Sequence, residues 1–328
     1  MGLRTVFFGT SEFAQTVLRG LLESPHEVVG VVCAPDRPAG RGRKVHPGPV
    51  SAFARSRALA LFQPESLRDP ATTARLRELD ADIFAVASYG LIFPEEILEV
   101  PPLGAVNAHA SLLPKLRGAA PVERAILAGL DVTGVAVQRI VRRVDAGDVL
   151  AVRTTPIGPR ETAGELRARL AEIAAGVLPV VLGAIESGQA EALPQDEAEA
   201  TSAPPLRPGD RAIRWGEPAA ATDRRVRALS PRPGAFALLP GDLGSKRLKI
   251  LAAELEPAPP AAASGRKGAP GEVLVASDRE GLLVAAGPDG SEALRPVTLQ
   301  PEGKRPMDAA AFVRGHRMLP GMRLADGA

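Results

Sequence analysis

The chain has 328 residues, of which 45% are hydrophobic, 24% are charged and 3% are aromatic, and its formal net charge is +2. This length is about twice that of a typical domain, so two domains are expected. The single cysteine, Cys33, excludes an intrachain disulfide and is typical of a reducing compartment. No apolar run approaches the roughly 18 residues that cross a bilayer, and the start lacks a signal-peptide pattern. We therefore expect a cytoplasmic protein with no membrane partner.

The first 189 residues alternate short apolar runs with helical patterns. The predicted strands are 5–10, 27–33, 82–88, 105–110 and 134–141. Helical spacing is predicted after the first strand, near 50–59, 69–79 and 120–129, and over 161–187. Apolar strands that alternate with helices are typical of a mostly parallel sheet covered on both faces. The sequence thus predicts an α/β, Rossmann-like domain over residues 1–189.

The composition changes after this domain. Residues 190–206, AEALPQDEAEATSAPPL, are acidic, contain proline and lack periodicity, which is typical of a linker. Residues 207–328 contain short apolar runs separated by Gly and Pro, which predicts a smaller, OB-like β-barrel domain. This last part carries 19 Lys and Arg against 14 Asp and Glu. The basic surplus weakly favours a polyanionic partner.

The fourth predicted strand, AVNAHA, carries polar residues that are suited to catalysis. Asn107 is the only asparagine in the chain and precedes His109 by two positions, so both side chains face the same way. Asp145 follows the next predicted strand in a Gly-containing turn and can reach His109 if the two strands are neighbours. An amide, an imidazole and a carboxylate suit acyl chemistry. The spacing alone is also compatible with a structural role, with Asp145 as a turn residue that bonds its own backbone.

Beyond these three residues, longer motifs carry a family resemblance. NAHASLLPKLRGAAP, followed by VDAGDVL, resembles the signature of the 10-formyltetrahydrofolate-dependent formyltransferases. FFGTSEFA, APDRPAGRGRKVHPGPV, QPESLRDP, ASYGLIFPEEIL and SPRPGAF follow the same pattern over nearly the whole chain. The basic loop and the domain with SPRPGAF are similar to those members of the family that act on initiator methionyl-tRNA. The chain departs from the pattern at Leu116 and Arg232, and Arg207 and Arg211 are slightly displaced from the usual linker lysines.

The resemblance implies a reaction and a role for each residue. The α-amine of methionine on initiator tRNA attacks the formyl group of 10-formyltetrahydrofolate, and tetrahydrofolate leaves, with no metal ion required. Asn107 and His109 stabilise the oxyanion, while Asp145 holds and charges His109. The implied folate-binding residues are Ser111, Leu112, Leu113, Pro114, Tyr89, Gly90, Leu91 and Ile92. The implied contacts to the acceptor arm of the tRNA are Arg37, Arg41, Arg43, Lys44, Arg207 and Arg211. Because the tRNA already supplies a large interface, a monomer is expected.

Two other functions stay open at this point. A formyltransferase for a small amine, such as glycinamide ribonucleotide or an amino sugar, would keep the three polar residues but would not need the basic loop or the second domain. A non-catalytic tRNA-binding module would be expected to lose one of the three. The basic loop has its own alternative, a solvated loop without a partner. It lacks the third glycine of a dinucleotide-binding motif.

Two further groups lie in the second domain. Trp215 and Phe236 are interpreted as core anchors rather than as platforms for nucleobases. A predicted helix after Trp215 carries three arginines, which form either a solvated face or a phosphate-binding patch. These arginines are Arg224, Arg225 and Arg227.

Overall fold

A computed structural model of the chain describes residues 2–39, 44–256 and 268–327, apart from the side chains of residues 38, 39, 44, 45 and 242. The chain forms two compact units. The first comprises Met1–Pro121, Asp131–Ile157 and Leu166–Pro205. The second comprises Val122–Leu130, Gly158–Glu165 and Leu206–Ala328.

The first unit is built on a seven-stranded sheet of order β5-β2-β1-β6-β7-β8-β9, beside a two-stranded sheet of β3 and β4. The strands are β1 (Arg4–Gly9), β2 (Glu27–Val32), β3 (Pro38–Ala39), β4 (Lys44–Val45), β5 (Leu61–Phe62), β6 (Ile83–Ala87), β7 (Ala105–His109), β8 (Val132–Arg139) and β9 (Val149–Pro156). Across the sheet, the five strands β5, β2, β1, β6 and β7 are parallel to one another. Strands β8 and β9 are antiparallel to their neighbours. Strand β6 is buried along its whole length, as expected for a sheet covered on both faces. The predicted Rossmann-like class is confirmed.

Helices flank this sheet and begin at residues suited to capping. Those of the first unit are α1 (Glu12–Leu22), α2 (Pro49–Ser56), α3 (Pro70–Arg77), α4 (Glu95–Leu98) and, for most of its length, α6 (Ala163–Glu186), whereas α5 (Pro121–Leu127) falls almost entirely in the second unit. The Ser11 hydroxyl accepts the Ala14 N–H at the start of α1, and Asp69 caps α3 in the same way. Helix α6 is long and apolar enough to cross a bilayer by length and composition, with a mean hydropathy of 1.8. Its Leu166, Leu170 and Leu178 are fully buried, so it also packs as a core helix.

The second unit is built on an antiparallel sheet of order β10-β11-β14-β13-β12, with β15 beside β14. Its elements are α7 (Ala219–Leu229), β10 (Ala235–Leu238), β11 (Arg247–Glu256), β12 (Val273–Ser277), β13 (Gly281–Ala286), β14 (Glu292–Pro301), β15 (Met307–Asp308) and α8 (Ala309–His316). Trp215 and Phe236 are 1% and 3% exposed, which confirms that they are core residues. A smaller β domain therefore follows the α/β domain, as predicted.

The segment between the sheets, predicted as a linker, carries described contacts with the first unit. Leu193 and Val149 exchange both backbone hydrogen bonds, at 2.8 and 2.9 Å. Further along, Ala203 donates its N–H to the carbonyl of Arg117 at 2.6 Å. These backbone bonds do not need apolar side chains, so the segment is ordered without hydrophobic periodicity.

Candidate active site

The three polar residues predicted from AVNAHA and VDAGDVL lie together beside β7 and β8. The two strands are neighbours, which was the condition for Asp145 to reach His109, but they are antiparallel, with Asn107 opposite Gln138 and His109 opposite Ala136. The carboxyl end of β8 therefore lies beside the amino end of β7. Asp145 reaches His109 only because the chain after β8 turns back, with Asp145 itself at φ +49°.

The Asp145 carboxylate is the centre of the cluster. Its Oδ1 accepts hydrogen bonds from Gln138 Nε2 at 2.8 Å and from Asn107 Nδ2 at 3.4 Å. Its Oδ2 accepts the N–H of Gly118 at 2.9 Å and lies 3.6 Å from Nδ1 of His109. The carboxylate is thus fixed on both oxygens.

The imidazole of His109 is held between two acceptors. Its Nε2 lies 2.9 Å from the carbonyl oxygen of Leu116, which can only accept, so Nε2 is the donor. Nδ1 faces the carboxylate of Asp145. The side chains of His109 and Asp145 are 7% and 13% exposed, so water screens their attraction weakly. Nε2 is thus the ring donor that the hydrogen bonds identify, while Nδ1 lies 3.6 Å from the carboxylate, beyond ordinary hydrogen-bond length.

The Asn107 amide is the group best placed to meet a substrate. It is half-buried, and its described hydrogen bond, to Asp145, is at the long limit of 3.4 Å. An amide N–H held this loosely can donate to a carbonyl oxygen that becomes negatively charged. Together, Asn107, His109 and Asp145 can stabilise an oxyanion and move a proton.

The residues predicted to bind folate lie on two segments that follow neighbouring parallel strands. One segment continues from β7. There Ser111 is fully buried and donates its hydroxyl to the carbonyl of Lys115 at 2.7 Å, so it shapes the turn. Leu113 is 8% exposed and packs with Ala136 and Val149, whereas Leu112 and Pro114 are half-buried. This segment combines a fixed turn with apolar side chains.

The other segment continues from β6. Tyr89 packs against the rings of Phe8 and Phe93, and burial raises its pKa to about 12. Gly90 is exposed at φ +88°, and Leu91 and Ile92 are 44% and 67% exposed. Because β6 and β7 are parallel, both segments begin at the same edge of the sheet.

The residues predicted to contact tRNA have varied surroundings. Arg37 and Arg207 are exposed. Arg41 and Arg43 lie outside the described residues, as does the side chain of Lys44.

Arg211 lines a basic cleft of about 170 Å³ in the second unit, with Arg247 and Lys249. The guanidinium carbons of Arg247 and Arg211 lie 4.8 and 5.8 Å from the ring centroid of Phe236. Burial lowers the pKa of Lys249, and the positive charge of Arg211 lowers it further. Glu302 is the acidic residue of the lining. Three cations that converge on one cleft form an anion-binding environment.

The arginines of α7 do not form a solvated face. Arg225 is paired with Glu217, and Arg227 is paired with Asp223 at 2.8 Å, with both arginine side chains 14% exposed. The interpretation as a solvated charge run is therefore wrong for these two residues. The Arg227–Asp223 pair lies within α7, and the partner of Arg225, Glu217, lies just before the helix.

Sequence reasoning missed two glutamines of the cluster, Gln138 and Gln195. Gln138 is 1% exposed and lies opposite Asn107, a position that only the strand register reveals. Gln195 belongs to the predicted linker and contacts the turn of Asp145.

As for metals, no group of three or more His, Cys, Asp or Glu side chains suited to an ion occurs among the described residues.

Comparison with known proteins gives matches over nearly the whole length. The formyl transferase family matches residues 3–182, and the formyl transferase C-terminal domain family matches residues 205–317. The chain is 44% identical to a methionyl-tRNA formyltransferase of Symbiobacterium thermophilum, over 98% of this chain and 95% of that protein. It is 42% identical to a methionyl-tRNA formyltransferase of Moorella thermoacetica, over 97% and 98%.

A solved structure shows the same fold at lower identity. An N-formyltransferase from Helicobacter canadensis, in complex with folinic acid and dTDP-3-aminofucose, matches with a TM-score of 0.65 and 16% identity. The match covers 90% of this chain and 99% of that one. This likeness shows the fold alone.

Proposed function

The chain belongs to the methionyl-tRNA formyltransferase family, and on that premise we propose that it formylates the α-amine of methionine carried by initiator tRNA, with 10-formyltetrahydrofolate as donor. It is an enzyme of one-carbon transfer that serves translation initiation. The observation that carries the proposal is the cluster of Asn107, His109 and Asp145, because the addition of an amine to a formyl carbon needs an oxyanion donor and a proton acceptor at one point.

Asn107 and His109 act on the formyl oxygen. When the amine adds to the formyl carbon, negative charge develops on this oxygen, and a pre-positioned N–H stabilises it more than water does. The loosely held amide of Asn107 supplies one donor. The imidazole of His109 supplies the second when its Nε2–H exchanges the carbonyl of Leu116, its partner at 2.9 Å, for the formyl oxygen.

Asp145 holds His109 and takes part in proton movement. Its Oδ2 faces Nδ1 of His109 at 3.6 Å, and both side chains are largely shielded from water. The amine must lose a proton after it attacks, and the carboxylate, directly or through a water molecule, is the base within reach of the cluster. Four partners already orient the carboxylate, so little reorganisation is needed at that step.

The donor is bound along the segments after β6 and β7. The exposed Leu91 and Ile92 offer an apolar surface to a folate ring, and the Leu112–Pro114 turn offers backbone groups. The hydroxyl of Tyr89 is buried and has no hydrogen-bond partner among the described residues. It is a polar group left for a ligand atom. No step in this account uses a metal ion.

The tRNA is bound by basic residues on both domains. We assign residues 1–189 to catalysis, 190–206 to the linker and 207–328 to tRNA binding. Arg37 and the other basic residues of its loop reach the acceptor end, Arg207 adds a contact near the linker, and the cleft of Arg211 takes a backbone phosphate. The enzyme works in the cytoplasm, as a monomer.

The deciding experiment is formyl transfer from 10-formyltetrahydrofolate to methionine charged on initiator tRNA. We expect turnover by the wild type and a loss of about 100- to 1000-fold in Asn107→Ala. Asn107→Asp keeps the size of the side chain but lacks the N–H, so it should lose as much. Wild-type activity on a small amine with none on charged tRNA would contradict the proposed acceptor while leaving the catalytic residues intact.

The alternative acceptor, a small amine, has less support. The N-formyltransferase that shares the fold was solved with an amino-sugar nucleotide, but its identity to this chain is only 16%. The chain also has the basic cleft at Arg211, in the second domain that a small acceptor does not require.

A further inference from the structure

Gln195 joins the predicted linker to the turn that carries Asp145. Its amide nitrogen donates to the backbone carbonyls of Asp145 at 2.9 Å and Gly147 at 2.6 Å, and to Oε1 of Gln138 at 3.1 Å. Gln138 in turn donates to the Asp145 carboxylate at 2.8 Å. One side chain therefore contacts both the backbone of Asp145 and the residue that binds its carboxylate.

The orientation of both amides follows from the chemistry of their partners. Arg117 donates to Oε1 of Gln195 through Nε at 3.0 Å and through a terminal nitrogen at 2.8 Å, and a guanidinium can only donate. The backbone carbonyls on the other side can only accept. Gln138 must then donate to the carboxylate and accept from Gln195. The two N–H groups of Gln195 serve three acceptors, so one N–H is shared, while the direction of each bond follows from its partners.

An ion-pair cluster anchors the network at its outer end. Arg117 is 10% exposed in its side chain and is paired with Glu197 at 2.9 Å. Glu197 is also paired with Arg143, which lies two residues before Asp145. Hydrogen bonds from Arg117 and then Arg143 lower the pKa of Glu197 to about 2, so it is ionised throughout the neutral range. The linker segment thus holds the turn from two sides.

The turn needs such support because its own backbone bonds are few. It leaves β8 at Arg139, whose N–H donates to the carbonyl of Asp148 at 2.9 Å and closes the loop. Residues 141–144 are exposed, and Asp145 adopts a left-handed φ of +49°. Without Gln195, the carbonyls of Asp145 and Gly147 would lose the side-chain donor that fixes them.

We propose that Gln195, acting through Gln138 and the Asp145 turn, is a positioning residue for formyl transfer, and that the linker segment therefore completes the active site. Gln195 contacts neither the reacting atoms nor a substrate. It sets the position of the carboxylate that holds His109. The inference rests on the proposed function, in which Asp145 serves catalysis.

The test is a double-mutant cycle between Gln195→Ala and Asp145→Asn, measured as single-turnover formyl transfer with excess enzyme. In the wild-type background, Gln195→Ala should lower the rate by about 10- to 100-fold, since small displacements of catalytic groups have effects of this size. In the Asp145→Asn background it should change the rate by less than about twofold, because the carboxylate that it positions is gone. Equal losses in the two backgrounds would overturn the proposal.

Three measurements separate positioning from general damage. Gln189→Ala removes the amide of an exposed glutamine just before the linker, six residues from Gln195 and away from the cluster. It should leave the rate unchanged. Binding of charged tRNA to Gln195→Ala should equal that of the wild type. Gln195→Glu keeps the acceptor for Arg117 but loses the N–H donor to the turn. It should therefore lower the rate of formyl transfer as much as Gln195→Ala does. Full activity in Gln195→Glu would contradict the role of its N–H groups.

A measurement that does not depend on turnover tests the positioning role of Gln195 separately from the proposed function. The chain has four histidines, so the ring signals of His109 can be assigned in an NMR spectrum by comparison with His109→Gln. Gln195→Ala should move these signals and leave those of His26 and His316 in place. If the wild type fails to formylate charged tRNA, the proposed function falls. If the His109 signals do not move in Gln195→Ala, the positioning role falls.

Discussion

The backbone N–H of Gly118 donates to Oδ2 of Asp145 at 2.9 Å. This glycine is the second residue of the RGAAP motif, and its φ of +121° is one that residues with a side chain rarely adopt. An added Cβ would lie 2.8 Å from the carbonyl oxygen of Ala203. The connection after β7, which carries Gly118, thus positions the carboxylate of Asp145 on the connection after β8.

Gly118→Ala is therefore expected to lower both stability and activity. The strained φ costs about 1–3 kcal/mol in free energy of unfolding. The rate of formyl transfer should fall because the N–H can no longer face Asp145 in the same geometry. Urea unfolding and turnover of the same preparation test the two effects.

Gly176→Ala is the matched control. Gly176 lies in α6, where an added Cβ meets no atom within 4 Å. Because alanine is the better helix former, this variant should be as stable as the wild type or slightly more stable. A Gly118→Ala enzyme with wild-type stability and rate would contradict the role of the glycine.

Tyr89 is the only tyrosine, so its ionisation can be followed alone by absorbance at 295 nm. Burial raises its pKa from 10.0 to about 12 in the folded protein, which means that the fold favours the neutral phenol. Its contribution to stability is complete below pH 10 and is lost as the pH rises through about 12. A pH-jump measurement before unfolding should give the high midpoint. A native midpoint near 10 would show that the ring is solvated.

Tyr89→Phe distinguishes a role of the Tyr89 hydroxyl in stability from a role in folate binding. The buried hydroxyl has no partner among the described residues, so its removal should not lower the free energy of unfolding. If this hydroxyl meets the folate, KM for 10-formyltetrahydrofolate should rise in the variant while stability is retained. An unchanged KM would remove Tyr89 from the proposed folate-binding residues.

Much of the catalytic cluster could be predicted from the sequence, because local spacing determines it. Asn107 and His109 share a face by strand geometry alone, and Asp145 was expected next to them if the strands were neighbours. Strand direction is not encoded in apolar periodicity. The antiparallel pairing of β8 therefore emerged only in the structure, together with the position of Gln138 opposite Asn107.

The missed elements have identifiable causes. Strand β9 is exposed over much of its length, so it lacks the apolar run by which strands were recognised. Strand β14 contains Pro296, which argues against a strand interior, yet the structure pairs it with Ala253 beside a register shift of β11. Gln195 meets Asp145 across 50 residues of chain, and no local pattern reports such a contact.

Cys33 should be unreactive in the native protein. It is the only cysteine, it is 2% exposed, and burial raises its pKa to about 11. The thiolate is the reactive form, so labelling by iodoacetamide at pH 8 should be slow in buffer and should reach one group per chain in urea. Loss of activity that follows labelling in buffer would mean that the thiol opens to solvent during turnover.

The cleft of Arg211, Arg247 and Lys249 makes a prediction about salt dependence. If these cations neutralise tRNA phosphates, the slope of log K against log salt should fall by about 0.7 to 0.9 for each contact removed. The triple alanine variant should therefore bind charged tRNA more weakly and with a slope smaller by about 2 to 3. Arg279→Ala, an exposed arginine of the same unit outside the cleft, should change neither quantity. Since Arg211, Arg247 and Lys249 are not part of the catalytic cluster, kcat at saturating tRNA should be retained. A loss of kcat with an unchanged salt slope would show that the cleft does not hold phosphate.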